Sequence, residues 1–276
     1  MELFILFFSG ILLGIAYILE KQLAAEKYHP ATFVVLVSAV STILSIPLLL
    51  YQPKISSSMV YWILTIGSVG AYGLGNLFSY KAYKTTDASV VGLINRLNIV
   101  VAAIFGIALL KELYTLTSYI ALLLIFAGSV LIVFEKGTIR INAGVMYAVL
   151  MAVGYGISAV MDKEILKQFS PFTYVVINNF LVALLFSSFH QARKEAYRLF
   201  LNKSLLVICI ALLSVSSWVG FLFVLQSGAV SRIFPIFDSL SLVSTVGAGI
   251  IFLKERSQMA QKIIGTIIVL AGIFLL

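Results

Sequence analysis

The chain has 276 residues, of which 61% are hydrophobic and only 11% charged, against the roughly 25% charge usual in soluble domains. A mean hydropathy of +1.09 excludes a water-soluble fold, which has too little interior to hide so much apolar surface. The net charge of +8 sits in short clusters between apolar runs, the pattern of wet loops joining lipid-embedded helices rather than of a nucleic-acid-binding face.

Ten apolar runs follow one another. They cover residues 3–19, 31–51, 58–80, 88–110 and 115–134, then 142–161, 171–189, 204–226, 230–253 and 258–276. Each approaches the about 20 residues that a helix needs to cross about 30 Å of hydrocarbon, and none alternates with the two-residue period of a barrel strand. The first run is not expected to be a cleaved signal peptide, because Glu2 stands where a basic start is usual and no clean small-residue cleavage site follows. His29-Pro30 and Ser170-Pro171 open the second and seventh runs, with proline in a first turn that needs no N–H donor.

Small residues recur at four-residue spacing, as in Gly10 with Gly14 and Ala102 with Gly106, and the third run carries Gly67, Gly70, Gly73 and Gly75. Such spacing lets backbones touch in lipid, either as static packing or as sliding surfaces. Tyr28, Tyr51, Tyr61, Trp62 and Tyr114 fall near run ends and read as interface anchors. Cys209, the single cysteine, lies inside the eighth run and reads as a small packing residue.

The halves repeat one another. Leu110-Lys111-Glu112 closes the fourth run and Leu253-Lys254-Glu255 the ninth, while Ala127-Gly128 and Ala271-Gly272 lie in the runs that follow. Lys111 and Lys254 are 143 positions apart, Ala127 and Ala271 144. Upstream, Gly14-Ile15-Ala16 with Glu20-Lys21 is echoed by Gly156-Ile157-Ser158 with Asp162-Lys163. Five runs per copy is an odd number, so the second copy must enter the membrane with opposite polarity. The expected architecture is all-α and membrane-embedded: ten helices as two inverted five-helix repeats, 1–137 and 138–276, around a central cavity.

Charges inside runs are the sharpest functional signal, because hydrocarbon penalises each by about 2.5–3.5 kcal/mol on insertion scales. Arg96 and Asp238 qualify; the repeat sets Asp238 opposite Asn95 and Asn98 opposite Ser241. At 1.5 Å per residue, Arg96 lies roughly 12 Å deep from one face and Asp238 roughly 9 Å from the other, leaving roughly 9 Å between their levels. A direct ion pair, a shared water-filled cavity and separate structural burial all stay open. In the cavity reading Asp238 carries a proton and Arg96 holds a substrate carboxylate or phosphate. Glu20-Lys21 and Asp162-Lys163 fall near the run ends, as interface charges or as a selective cavity mouth. Asn76, Tyr17, Tyr72, Tyr155, Asn178, Asn179 and Trp218 are further candidates, as cavity lining or as interhelical contacts.

No enzyme signature appears. His29 and His190 are the only histidines, and no metal-ligand spacing or phosphate-binding glycine loop is present, so no metal, cofactor or direct use of ATP is expected. Lys and Arg concentrate in the odd-numbered connections, which hold Lys21, Lys27, Lys81, Lys84, Lys136, Arg140, Arg193, Lys194, Arg198, Lys203, Lys254, Arg256 and Lys262. That bias predicts cytoplasmic odd loops and external termini. Residues 190–203 carry the largest share of it, four of these thirteen, and the same stretch reads equally as a basic amphipathic segment on the membrane surface.

Ala88-Ser89 leading into a run, the small residues before Leu110-Lys111-Glu112, and Ala127-Gly128, all repeated, resemble the EamA type of the drug/metabolite transporter superfamily across nearly the whole chain. The resemblance implies a cavity lined mainly by helices 1, 3, 4, 6, 8 and 9, peripheral helices 5 and 10, alternating access, and cytoplasmic termini, against the charge count. Members commonly carry Gly-Glu where Lys111-Glu112 and Lys254-Glu255 stand, and an arginine early in the second helix, which this chain lacks.

The expectation is a secondary transporter of a small metabolite, a proton-coupled exporter of amino acids or related compounds in the plasma membrane of a prokaryote, monomeric or homodimeric. The alternatives are an exchanger of anions such as sugar phosphates, favoured if Arg96 and Lys21 face the cavity, a membrane scaffold or accessory subunit, and a lipid-processing enzyme.

Overall fold

The computed structural model describes residues 1–111, 115–131, 134–135, 138–139, 142–254 and 258–275. Glu112, Tyr114, Lys136, Arg140, Glu255 and Arg256, all used above, lie outside the described residues. The first half forms α1 (Glu2–Ala24), α2 (Pro30–Ser45, continued by a 3-10 turn over Ile46–Leu50), α3 (Met59–Thr85), α4 (Ala88–Leu110) and α5 (Leu116–Leu131). A two-residue antiparallel pair, β1 (Phe134–Glu135) and β2 (Thr138–Ile139), precedes α6 (Ala143–Ile165), α7 (Pro171–Ser187), α8 (His190–Ser227), α9 (Val230–Phe252) and α10 (Met259–Leu275).

Local chemistry accounts for several boundaries. The two prolines open α2 and α7 as predicted, and a side chain caps each start. His29 Nδ1 accepts from the Ala31 N–H at 3.2 Å, and Ser170 Oγ from the Thr173 N–H at 3.1 Å. At the far ends of α4 and α9, Lys111 and Lys254 both turn left-handed, with φ of 55° and 56°. A lysine pays steric strain there that glycine would not, so its occurrence at both repeat-related sites marks a shared helix ending.

Three expected spans are too short. α1 continues beyond residue 19 to Ala24, α3 beyond 80 to Thr85, and α6 beyond 161 to Ile165, because the charges taken as their limits find partners within the bundle. The basic stretch 190–203 is helical. Its backbone breaks at Lys203 (φ −136°, ψ 31°), while Ala192, Ala196 and Leu199 turn inward and Arg193, Lys194 and Arg198 remain exposed, an amphipathic segment. Glu195 ties it to the start of α2 by accepting from the His29 N–H at 3.0 Å and the Thr32 hydroxyl at 2.9 Å. Lys203 pairs with Glu26 at 2.8 Å.

Among the described residues six helices are long and apolar enough to cross a bilayer, namely α1, Pro30–Leu50, α4, α6, α8 and α9. The apolar helices α5, α7 and α10 are shorter. α3 has the length, but Ser68, Tyr72, Asn76 and Ser79 make its middle polar. The outer surface is apolar: Phe4, Ile66, Leu123, Phe180, Leu212 and Ile264 are among the large side chains left exposed, whereas Asn95, Arg96, Asn98, Asp162 and Asp238 are buried. That inside-out distribution fits a multi-pass membrane protein.

The packing is mirrored between the halves. α1 lies on α8 and α9, and α6 lies on α3 and α4; α2 meets α7, α4 meets α9, and α5 packs mainly on α10. Glycine permits the closest approaches. A Cβ at Gly14 would sit 2.8 Å from the Ser241 carbonyl oxygen on α9, and one at Gly156 would sit 2.7 Å from the Asn98 carbonyl oxygen on α4. Gly14 and Gly156 are repeat-related, and so are Asn98 and Ser241, so one contact is made twice.

We expect Gly14→Val and Gly156→Val each to destabilise the protein by about 1–3 kcal/mol, the usual effect of overpacking. Gly70→Ala and Gly247→Ala, where an added Cβ meets nothing within 4 Å, should leave it unchanged or slightly more stable. Thermal unfolding in detergent, followed by size-exclusion recovery, separates the pairs. Equal losses in all four would contradict the assignment of close contact to the first two.

Candidate functional site

A cavity of about 650 Å³ lies where the halves meet, with walls from α1, α3, α4, α6, α8 and α9. It is reached by both polar and aromatic side chains. Tyr17, Tyr72, Asn76, Asn98, Tyr155, Trp218 and Asp238, all singled out in the sequence, line it. A second cavity of about 400 Å³ adjoins it, sharing Glu20, Tyr72, Asn76 and Trp218 and adding Asn179.

The aromatic wall is ordered by stacking. Tyr72 and Trp218 lie face to face, 4.8 Å between centroids and 9° apart, and Tyr155 tilts against Tyr72 at 5.7 Å while its hydroxyl donates to Asn76 Oδ1 at 2.7 Å.

Arg96 and Asp238 form a direct pair, Nη1 to Oδ1 at 2.9 Å. The roughly 9 Å offset between their levels is closed by the length of the arginine side chain and by the course of the two helices. α4 tightens at Arg96, whose N–H bonds back to the carbonyls of Leu93, at 3.2 Å, and Ile94, and α9 carries Pro235 one turn before Asp238. The guanidinium also donates from Nε to the Gly92 carbonyl at 3.0 Å, and from Nη1 to the Asp238 carbonyl and to Ser241 Oγ, the latter at 3.2 Å. Arg96 is fully buried and, with Asn95 and Ser241, lies behind the cavity wall rather than in it. Asp238 reaches both the pair and the cavity; its second oxygen, Oδ2, has no hydrogen-bond partner, and neither does Asn98 Oδ1.

Ser214, Ser217, Phe221, Phe234 and Phe237 line the cavity without a sequence signal, and two charged lining groups lie deeper than expected. Glu20 and Asp162, read as interface or mouth charges, are 8% and 2% exposed and belong to the cavity. Glu20 accepts from Ser79 Oγ at 3.3 Å; Asp162 Oδ1 accepts from the Tyr174 hydroxyl at 2.5 Å and Ser68 Oγ at 2.7 Å. Asn178 supports this second cluster by donating to the Tyr174 hydroxyl at 3.0 Å. The recurrence of an acid before lysine in both halves was the signal; the inference that a charge ends a span obscured it.

The neighbouring lysines turn away from the cavity to close helix ends. Lys21 donates to the carbonyls of Tyr83 and Thr86, both at 2.6 Å, and Lys163 to those of Leu225, Gln226 and Gly228, at 2.8, 3.2 and 2.7 Å. Lys21 and Lys163, Tyr83 and Leu225, and Thr86 and Gly228 are each 142 positions apart. The same ammonium-to-carbonyl clamp therefore closes α3 and α8, where the helix dipole favours a cation. Lys262, counted above among loop charges, is instead buried in α10 and paired with Asp87 at 2.9 Å.

The EamA-like transporter family matches residues 1–134 and, separately, residues 142–276. No curated protein matches. A solved structure described only as a crystal structure of protein aligns over 98% of this chain and 94% of its own, with a TM-score of 0.66 at 14% identity, a likeness of fold alone.

Arg96→Met would strand a buried carboxylate, a change expected to cost about 3–5 kcal/mol of stability. Arg96→Met combined with Asp238→Leu should regain most of that loss, because the stranded charge goes as well. Denaturant or thermal unfolding of the detergent-solubilised variants reads both; a double variant no better than the single one would contradict a coupled pair.

Proposed function

The chain belongs to the EamA-like transporter family, within the drug/metabolite transporter superfamily, and we propose that it is a secondary active transporter carrying a small metabolite by alternating access. Ten helices would cross the membrane as two inverted five-helix repeats, 1–137 and 138–276, each supplying half of the cavity. The observation that carries the proposal is the cavity itself, lined by carboxyl, amide and aromatic side chains from three helices of each half within an apolar exterior. The mirrored packing, the paired lysine clamps and the separate family matches to each half support the repeat arrangement.

Rocking of one half against the other would open the cavity first to one side and then to the other. The irregular turn at Arg96 and the proline at 235, which removes one α9 hydrogen bond, fall beside it. Coupling to protons is assigned to Asp238, which reaches the cavity with one oxygen while Arg96 holds the other. Protonation would loosen that pair and let α4 part from α9. Export of amino acids or related metabolites from a prokaryotic cell is the reading retained for direction and setting. Anion exchange is favoured if Arg96 and Lys21 face the cavity; Arg96 is paired with Asp238 and Lys21 with carbonyls at the end of α3, so that reading is less favoured.

Purified protein in liposomes should give saturable uptake of at least one labelled metabolite, accelerated by an imposed pH gradient. In Asp238→Asn the acceleration should vanish while solute exchange persists. Unaltered proton coupling in that variant would overturn its assignment, and no saturable flux of any class of solute would favour a scaffold.

A further inference from the structure

The cavity is acidic, and we propose that its ligand is an organic cation: an amine with an aromatic or otherwise apolar body. This rests on the transporter reading only in requiring that the cavity be reached from water.

Charge comes first. Three carboxyl groups, Glu20, Asp162 and Asp238, line the cavity, and no Lys or Arg is among its described lining residues. The Arg96 guanidinium is paired with Asp238 from behind the wall. The lysines next in sequence to Glu20 and Asp162 direct their ammonium groups to carbonyls at the ends of α3 and α8. Two carboxyls are thus left without a cationic side chain in the wall, in a setting where a lone buried anion is strongly disfavoured.

The hydrogen-bond inventory is consistent with this. Of the buried side-chain atoms without a partner, the acceptors Asp238 Oδ2 and Asn98 Oδ1 belong to cavity-lining residues, whereas the donors Arg96 Nη2 and Asn95 Nδ2 belong to residues outside the lining. A ligand that satisfies them must bring donors; an ammonium brings three together with the positive charge that the carboxyls lack, an ionised carboxylate none. The remaining wall suits the rest of such a molecule. The Tyr72–Trp218 stack, Tyr155, Phe221 and Phe237 offer ring faces that attract cations and bury apolar bodies.

Glu20 and Asp162 occupy repeat-related positions, so each half contributes one acid. An amine held between them meets carboxyl groups from both halves.

Three probes sharing one ring system isolate charge: tryptamine, tryptophan and indole-3-acetate, added to the purified full chain in detergent at neutral pH. Thermal shift or calorimetry should show saturable binding that is tightest for tryptamine, weaker for tryptophan and undetectable for indole-3-acetate. Glu20→Gln and Asp162→Asn should each weaken tryptamine by about tenfold or more, as loss of a charge-assisted contact would. The wild-type series decides the question even if a variant fails to fold. Binding of indole-3-acetate as tightly as tryptamine, no tryptamine binding, or undiminished affinity in both folded variants would overturn the inference. Flux of another solute without tryptamine binding would sink the cation proposal and spare the transporter; tryptamine binding without flux would do the reverse.

Discussion

Helices in lipid gain nothing from hiding apolar surface from one another, so their association has to come from close backbone approach and from polar groups that find partners inside the bundle. Both devices appear here, and each appears twice. Gly14 and Gly156 bring α1 onto α9 and α6 onto α4 at backbone distance. Lys21 and Lys163 fasten the ends of α3 and α8 to α1 and α6. Where the central helices of the two halves meet, Arg96 joins α4 to α9 through both the Asp238 carboxylate and its backbone carbonyl.

The same constraint explains the shape of the functional region. A buried cation must be answered, and the ones closest to the centre are answered by carbonyls or by Asp238, which removes positive charge from the cavity wall and leaves acids there. The cavity is therefore not a generic polar gap but one with a sign. Its aromatic wall, held by the Tyr72–Trp218 stack and the Tyr155–Asn76 hydrogen bond, gives it a rigid side against which a ring can lie. Helical hydrogen bonding is irregular beside this region at Arg96 and loses a donor at Pro235, so the central ion pair and the local irregularities coincide.

Much of this was legible in the residues. Proline at positions 30 and 171 marked two helix starts, the duplicated Leu-Lys-Glu and Ala-Gly segments revealed the repetition, and seven of the polar and aromatic residues singled out do line the cavity. What failed was depth. Reading each charge as the edge of a span ended α1 before Glu20 and α6 before Asp162, although the helices continue and the acids face inward. Treating helices as straight rods left a gap between Arg96 and Asp238 that a long side chain and two irregular helices close. Periodicity carries no information on how two lipid-embedded helices rotate against each other, so Arg96, Asn95 and Ser241 could not be told from lining residues. For 190–203 the sequence left a loop and a basic amphipathic segment open, and the amphipathic helix is the one formed.

The central claim is that the acid-lined cavity communicates in turn with each side of the membrane, and cysteine accessibility tests it most directly. In a Cys209→Ser background, Ser214→Cys places a thiol on the cavity wall. Alternating access predicts labelling by a membrane-impermeant maleimide applied to oriented vesicles from either face. Labelling from one face only, or from neither, would contradict it.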